Sequence, residues 1–275
     1  MTTRVTCCQI PLAIGDTIGN RATARLAIEE AARDGAQIVV LPELASSGYV
    51  FADRAELVSL AETRDGPSIT DWANLAEAFD LTIVAGFPEA AGDKVYNAAV
   101  VVDPTGLRGV YRKAHLWDTE NNVFDRADDL PLLVDTAHGR IGVMVCYDIE
   151  FPEWVRAVAL EGADLLCAPV NWPLLPRPDG ERPTEMVRAL AGAGVNRMPI
   201  AVCDRAREER GVKWIGGSVI TDADGYPMVV AQYGEPGTIA ADVDLAESRI
   251  KRFNENNDVH GDRRTDLYRR TGLLD

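Results

Sequence analysis

The chain has few histidines and no Cys-x-x-Cys motif, and these absences exclude several classes of protein. Its 275 residues contain five cysteines, without a Cys-x-x-Cys pair, at positions 7, 8, 146, 167 and 203. An odd, scattered set of thiols is typical of a reducing compartment rather than of a disulfide-bonded secreted fold. The cysteines and the three histidines show no zinc-ligand spacing, so we expect no metal and no cofactor.

Lysine is also scarce in an acidic chain. The net charge is −15, and the 28 basic residues include only four lysines, Lys94, Lys113, Lys213 and Lys251. Because phosphates are repelled by such a surface, we expect no nucleic-acid partner. The preference for arginine fits a GC-rich coding sequence or salt adaptation equally well. It also makes each remaining lysine a candidate for a specific role.

Long apolar runs are missing as well. The first residues, MTTRVTCCQIPLAIGD, lack the charged start and apolar core of a signal peptide. No segment approaches the roughly 18 consecutive apolar residues that indicate a membrane-spanning helix. We therefore expect a cytoplasmic protein with no membrane partner.

The pattern of apolar residues predicts a layered α/β fold. Predicted strands and helices alternate in the first half, and in each half two pairs of strands are joined by turns. This arrangement favours mixed sheets over a purely parallel one. No composition break or linker divides the chain, so we predict a single domain over residues 1–251.

The last residues, 252–275, are too polar to form a core of their own. They form either a frayed end or an arm that packs on a partner subunit. Apolar side chains in this tail favour the arm, namely Phe253, Leu267, Tyr268, Leu273 and Leu274.

Three reactive side chains occur where a predicted apolar strand meets a loop. QIVVLPE ends at Glu43, RGVYRK ends at Lys113, and a predicted strand over 140–146 ends at Cys146. In open α/β folds, ligands bind beyond the carboxyl ends of the strands. Alone, each residue fits an ordinary turn, surface or packing role. Their coincidence favours a site with a base, an electrostatic stabiliser and a nucleophile.

Cys146 differs from the other four thiols, which we interpret as core packing. Asp148 and Pro152 open the helix predicted over 151–161, and a helix N-terminus favours the thiolate of a neighbouring cysteine. A papain-like pairing of this thiol with His115 or His138 is the rival hypothesis. It leaves the carboxylate and the ammonium at the other two strand ends without a function.

Six segments resemble the nitrilase superfamily of carbon–nitrogen hydrolases. They follow the family's order from the first strand to about residue 245, and they are LPELASSGY (41–49), YNAAVVVDPTG (96–106), YRKAHLW (111–117), GVMVCYDIEFPE (142–153), GADLLCAPVNWP (162–173) and GGSVITDADG (216–225). The resemblance implies a four-layer α-β-β-α sandwich with two mixed sheets, a carbon–nitrogen hydrolase domain over 1–251, and a homodimer.

The resemblance also implies a catalytic set. By motif match it falls on Glu43, Lys113 and Cys146, and the segment 120-ENNVF-124 adds Glu120. One departure is 192-GAGVN-196, where the family often has Arg-Ala-x-Glu-Asn. It replaces the arginine and glutamate of a supporting polar network but leaves the catalytic set intact.

These residues together suit amide hydrolysis. Cys146 would attack the carbonyl after Glu43 accepts its proton, and the oxyanion would be stabilised by Lys113 and the backbone N–H of Tyr147. A thioester would form and would then be hydrolysed by water. Asn171 and Trp172, in 171-NWPLLP-176, would form an apolar and aromatic wall of the substrate pocket.

The residues after the cysteine suggest the substrate class. Cys-Tyr-Asp followed by Phe-Pro-Glu resembles the amidase and carbamoylase branches, whereas true nitrilases usually have Cys-Trp-Glu. A small aliphatic amide is therefore the first hypothesis. An N-carbamoyl compound or an ω-amide is the second, with Arg177, Arg182 and Arg188 as candidate partners of a substrate carboxylate. A non-catalytic metabolite-binding or scaffolding protein and a redox-sensing thiol protein remain the alternatives from other classes.

Overall fold

The structure, a computed structural model, describes residues 2–272. The strands are, in chain order, β1 Thr3–Gln9, β2 Ile38–Val40, β3 Thr82–Ala91, β4 Lys94–Asp103, β5 Gly106–Arg112, β6 Leu132–Thr136, β7 Gly139–Val143, β8 Leu165–Pro169, β9 Ile200–Cys203, β10 Glu208–Glu209, β11 Val212–Lys213, β12 Val219–Thr221, β13 Pro227–Val230 and β14 Gly237–Val243. The helices are α1 Thr17–Arg33, α2 Arg54–Leu60, α3 Pro67–Phe79, α4 Glu120–Val123, α5 Pro152–Leu160, α6 Thr184–Asn196 and α7 Thr265–Arg270, with 3₁₀ turns at Cys146–Glu150 and Leu245–Arg249.

Two six-stranded mixed sheets form the centre of the fold. The first has the order β14-β1-β2-β3-β4-β5, and the second has the order β13-β12-β9-β8-β7-β6. Side chains alternate between the two faces of each strand. In β2, Ile38 and Val40 pack between the sheets, whereas Val39 packs against α1 and α3. With α5 and α6 on the outer side of the second sheet, the predicted four-layer α-β-β-α sandwich in one domain is confirmed.

Strand direction brings three strand ends to one side of the sandwich. In the first sheet, β2 is parallel to β3, while β4 is antiparallel to both β3 and β5, so β2 and β5 point the same way. In the second sheet, β7 is parallel to β8 and β9. The loops that follow β2, β5 and β7 carry Glu43, Lys113 and Cys146, respectively.

Two of the predicted strands end earlier than the sequence suggests. β2 stops at Val40, although the Gly86 N–H still bonds to the Pro42 carbonyl at 3.1 Å. β7 stops at Val143, so residues 144–146 of the predicted strand lie outside it. Pro42 has no N–H to donate to a sheet ladder, and Leu44, directly after Glu43, has a φ of 51°. Cys146 has a φ of 49°, which a strand cannot accommodate.

Several short elements lie in segments without a long periodic pattern. The segment 114–131 contains the short helix α4, and Val219–Thr221 forms the short strand β12. An unpredicted hairpin, β10–β11, precedes it. These short elements depend on tertiary partners rather than on a long periodic pattern. In the altered 192–196 segment, Val195 is exposed and Asn196 is buried.

The described part of the tail packs on the same chain. Arg156 donates to the Val259 carbonyl at 3.2 Å, and the Arg197 guanidinium lies 5.5 Å from the centre of the Phe253 ring. Phe253 is 57% exposed. The division at residue 251, the arm and the homodimer remain predictions, and Leu273 and Leu274 lie outside the described residues. Within residues 2–272, no helix combines the length and apolar character that crossing a membrane requires.

Gly86 links the fold to the site, because the loop carrying Glu43 passes directly over it. A Cβ at this position would lie 2.4 Å from the Leu44 nitrogen and 2.5 Å from the Glu43 Cα. We therefore predict that Gly86→Ala lowers the free energy of unfolding by about 1–3 kcal/mol, as overpacking does. Thermal unfolding of this variant and of Gly237→Ala, where a Cβ meets open space, measures the difference. Equal stability of the two variants would contradict the prediction.

Candidate active site

Three charged side chains form a buried cluster beyond the ends of β2 and β5. The Lys113 ammonium bonds to Glu43 Oε1 at 2.9 Å and to Glu120 Oε1 at 2.8 Å. All three residues are at most 2% exposed. Glu120 starts α4, only seven residues after Lys113, so the loop after β5 supplies both groups.

Neutral groups complete the hydrogen bonding of the two carboxylates. Asn97 Nδ2, on β4, donates to Glu43 Oε1 at 2.7 Å. The Tyr49 hydroxyl donates to Glu120 Oε1 at 2.6 Å, and the backbone N–H of Trp117 donates to Glu120 Oε2 at 2.9 Å. Glu43 Oε2 is buried and has no partner within residues 2–272. That oxygen is therefore free to accept a proton.

The environment changes the proton affinity of the cluster. Burial raises the pKa of Glu43 to about 7, an effect that Lys113 opposes and that the charge of Glu120 reinforces. Burial alone would lower the pKa of Lys113, but the charges of Glu120 and Glu43 outweigh it and hold that pKa well above its usual range. Lys113 is thus a permanent cation beside a carboxyl group that titrates near neutrality.

The Cys146 thiol lies beside this cluster and is 6% exposed. Its Sγ approaches the Asn171 carbonyl oxygen at 3.8 Å. Burial and the nearby Glu43 raise the thiol pKa well above its usual range, although Lys113 acts in the opposite direction. The prediction that a helix start favours the thiolate is wrong. The helix α5 begins at Pro152, close to its predicted start, but burial and the charge of Glu43 outweigh its influence on the thiol. A base must therefore accept the thiol proton.

A buried carboxylate, Asp148, fixes the backbone around the thiol. Its Oδ2 accepts the Tyr111 hydroxyl at 2.7 Å and the Val145 N–H at 3.1 Å. Its Oδ1 accepts the His115 N–H at 3.0 Å and lies 2.7 Å from His115 Nδ1. His138, the other histidine of the papain-like hypothesis, contacts Gln37 instead. Asp148 therefore ties the turn that carries Cys146 to the loop that carries Lys113.

The predicted substrate-binding residues lie at the thiol. Asn171 Nδ2 donates to the Glu43 carbonyl at 2.9 Å, which links the loops after β2 and β8. Tyr147, Asn171 and Trp172 line a crevice with Cys146, and the Tyr147 ring packs edge-on against Trp117 at 4.8 Å. The crevice has a volume of about 20 Å³. Since one water needs on the order of 10–15 Å³, only a small group fits there.

A larger cavity of about 280 Å³ also borders Trp117. Most of its wall is apolar or aromatic, including Phe51, Phe124 and Trp214, and the edge of Glu120 reaches it. Trp117 and Pro173 line both spaces. The two cavities therefore share part of their walls, and the charged cluster borders the larger one through Glu120.

Several supporting side chains were not assigned from the sequence. Tyr49 lies in a loop held by Glu209, whose Oε2 accepts the N–H groups of Tyr49 and Val50 at 2.8 and 2.7 Å. Glu209 Oε1 in turn accepts the fully buried Arg205 at 3.0 Å. The Tyr49–Glu209 contact joins residues 160 positions apart, so no local signal could have revealed it.

A family model described as carbon–nitrogen hydrolase matches residues 4–252. The chain belongs to the carbon–nitrogen hydrolase family. The resemblance inferred from the sequence is therefore confirmed. Together with the amidases among its relatives and structural neighbours, this makes the protein an amidase-type carbon–nitrogen hydrolase.

The similar proteins have several different names. A nitrilase of Pyrococcus abyssi is 39% identical over 90% of this chain and 92% of its own. An N-carbamoylputrescine amidase of Solanum lycopersicum is 32% identical, covering 94% of this hydrolase and 92% of the relative. A 2-oxoglutaramate amidase of Bacillus subtilis is also 32% identical, over 96% of this hydrolase and 98% of the relative.

The fold matches that of solved structures. An amidase from Nesterenkonia sp. superimposes with a TM-score of 0.81 over 98% of this hydrolase and 96% of that chain, at 24% identity. At this level of identity the likeness establishes the fold and not the substrate.

We predict that Tyr49→Phe weakens the carboxylate cluster. The change removes one hydrogen bond to Glu120 but preserves the ring, and a hydrogen bond to a charged group contributes about 1.5–3 kcal/mol. Chemical denaturation should show a loss of that size. Tyr226→Phe is the matched control, because Tyr226 is 71% exposed. A loss of stability in Tyr226→Phe alone, or in neither variant, would argue against a stabilising hydrogen bond from Tyr49 to Glu120.

Proposed function

We propose that this hydrolase cleaves a small aliphatic amide to a carboxylic acid and ammonia through a thioester on Cys146. The observation that carries the proposal is the buried Lys113 ammonium between Glu43 and Glu120, placed beside a protonated thiol. Glu43, with a pKa of about 7, suits a group that accepts and returns a proton near neutral pH.

In the proposed first half-reaction, Cys146 Sγ attacks the amide carbon while Glu43 accepts the thiol proton. The developing oxyanion is stabilised by the Lys113 ammonium and the Tyr147 N–H, each donor of this kind contributing about 3–4 kcal/mol to the transition state. The C–N bond then breaks as protonated Glu43 gives its proton to the departing nitrogen. Ammonia leaves and the acyl group remains on sulfur.

In the second half-reaction, water attacks the thioester while Glu43 accepts one of its protons. The C–S bond breaks, the thiolate recovers that proton, and the carboxylic acid is released. Glu120 keeps Lys113 charged and in position throughout. The cycle balances without an external oxidant or reductant.

The size of the crevice supports a short acyl group, since it holds about 20 Å³ beside the thiol. N-carbamoyl compounds are the second candidate, supported by the N-carbamoylputrescine amidase among the relatives. A nitrile is the third candidate substrate, suggested by the name of the Pyrococcus abyssi relative, and the assay must distinguish it from the other two.

We predict ammonia release from propionamide by the wild-type enzyme and a loss of at least about 10⁴-fold in Cys146→Ala, because removing the nucleophile of a hydrolase costs on the order of 10⁶-fold. N-carbamoyl-β-alanine, α-ketoglutaramate and propionitrile complete the substrate panel. Cys167→Ala, which removes another fully buried thiol, is the matched control and should retain activity.

Two measurements distinguish the competing hypotheses about function. Mass spectrometry of the quenched wild-type enzyme should show an acyl group on Cys146 during turnover. Release of ammonia by Cys146→Ala at the wild-type rate would refute the thioester route. If none of the four compounds releases ammonia and no acyl group forms on Cys146, the result would favour the non-catalytic or redox-sensing alternatives.

The pH dependence of kcat/KM tests the role of Glu43. Its raised pKa means that the carboxyl group becomes protonated, and unable to accept the thiol proton, as the pH falls through about 7. We expect kcat/KM to fall about tenfold per unit below that value, with circular dichroism recorded in parallel to exclude unfolding. An acidic limb centred near the ordinary glutamate value would contradict the assignment of Glu43 as base.

A further inference from the structure

The wall of the crevice beside the thiol carries two carboxylates that the proposed reaction does not use. Glu150, at the end of the 3₁₀ turn, and Glu185, in the first turn of α6, both line the crevice that contains Cys146. The Glu150 side chain is 16% exposed. Burial, reinforced by the charge of Glu185 and opposed by Arg188, raises its pKa.

Within residues 2–272, Arg188 is the one cation that forms an ion pair with either of these carboxylates. Arg188 donates to Glu150 Oε2 at 2.6 Å from a side chain that is 47% exposed, so water weakens the pairing. Glu185 accepts a hydrogen bond from the Thr184 hydroxyl at 3.3 Å. Neither the crevice nor the 280 Å³ cavity has a lysine or arginine in the part of its wall formed by residues 2–272.

Two of the three arginines considered as partners for a substrate carboxylate, Arg177 and Arg188, contact other groups. Arg188 is paired with Glu150. Arg177 lies over the Tyr233 ring at 5.6 Å and donates to the Glu181 carbonyl at 3.2 Å. An anionic substrate tail would therefore meet carboxylates at the crevice. This arrangement disfavours the ω-amide hypothesis.

A separate feature of the same wall indicates a ligand that donates hydrogen bonds. Asn171 is 1% exposed and lines the crevice, and its Oδ1 has no partner within residues 2–272. Its Nδ2 is held by the Glu43 carbonyl, so the amide orientation is fixed. A buried acceptor without a donor is costly, and a bound N–H group would satisfy it.

On the basis of the proposed function, we infer that the substrate is a short amide with a cationic tail, an ammonium group that pairs with Glu150 and Glu185. The amide nitrogen or the ammonium supplies the donor that Asn171 lacks. The carbonyl is delivered to Cys146, while the charge at the other end of the chain selects the substrate. Only the reacting end of the substrate has to enter the space of about 20 Å³ beside Cys146, while the ammonium extends along the crevice wall to the two carboxylates.

The test compares three amides of similar length: pentanamide, 4-aminobutanamide and succinamate, which are neutral, cationic and anionic. For the wild-type enzyme we expect kcat/KM to be at least about tenfold higher for 4-aminobutanamide than for pentanamide, and lowest for succinamate. The preference should shrink as salt is raised, because screening weakens partly exposed charge pairs.

Glu150→Gln and Glu185→Gln test the two carboxylates at constant shape. Each should reduce the ratio of kcat/KM for the cationic amide over the neutral amide by about tenfold. Glu77→Gln, which removes an exposed carboxylate on α3, should leave the ratio unchanged. Thermal unfolding of each variant shows whether the fold is retained.

The outcomes distinguish this inference from the function on which it rests. Equal kcat/KM for the cationic and neutral amides, or a preference for succinamate, would overturn the inference while the amidase function stands. A ratio unchanged in both glutamine variants would also overturn it. Absence of hydrolysis and of acylation with all three amides would overturn the proposed function and the inference together.

Discussion

The ion pairing of one buried ammonium with two buried carboxylates is the interaction on which the site depends. If both Glu43 and Glu120 were ionised beside Lys113, one excess negative charge would remain out of water, which is costly. Raising the pKa of Glu43 to about 7 relieves that cost by protonation. The same imbalance makes Glu43 suitable as a proton carrier. Electrostatic strain and the proposed chemistry are thus two consequences of one arrangement.

The fold holds this arrangement with strained backbone at two of the three strand ends. Leu44 and Cys146 both have positive φ, a conformation that costs on the order of 1–3 kcal/mol for residues other than glycine. Each turn is held by a partner elsewhere in the chain. Gly86 allows close approach under the Glu43 loop, and Asp148 binds the turn after β7 to the loop after β5. Packing of the two sheets therefore maintains the strain.

The buried charged cluster and the crevice carboxylates come from different sheets of the sandwich. The first sheet and its loops supply Glu43, Lys113 and Glu120, whereas the crevice carboxylates Glu150 and Glu185 follow the second sheet. Cys146 and Glu150 belong to the same 3₁₀ turn, so the thiol and one crevice carboxylate are positioned together. The names of relatives specify different substrates, and one fold can hold sites of different specificity.

The sequence by itself determined the layered fold and the three reactive strand ends, because apolar periodicity and a polar residue after an apolar run are local signals. Family resemblance added Glu120. Only the tertiary structure decided how these groups behave. The pKa values of Glu43 and Cys146 follow from burial and from charges far away along the chain, and the thiolate expected from local helix geometry is opposed by burial and by the charge of Glu43. The hydrogen-bonding partners join residues tens of positions apart, so packing alone reveals them.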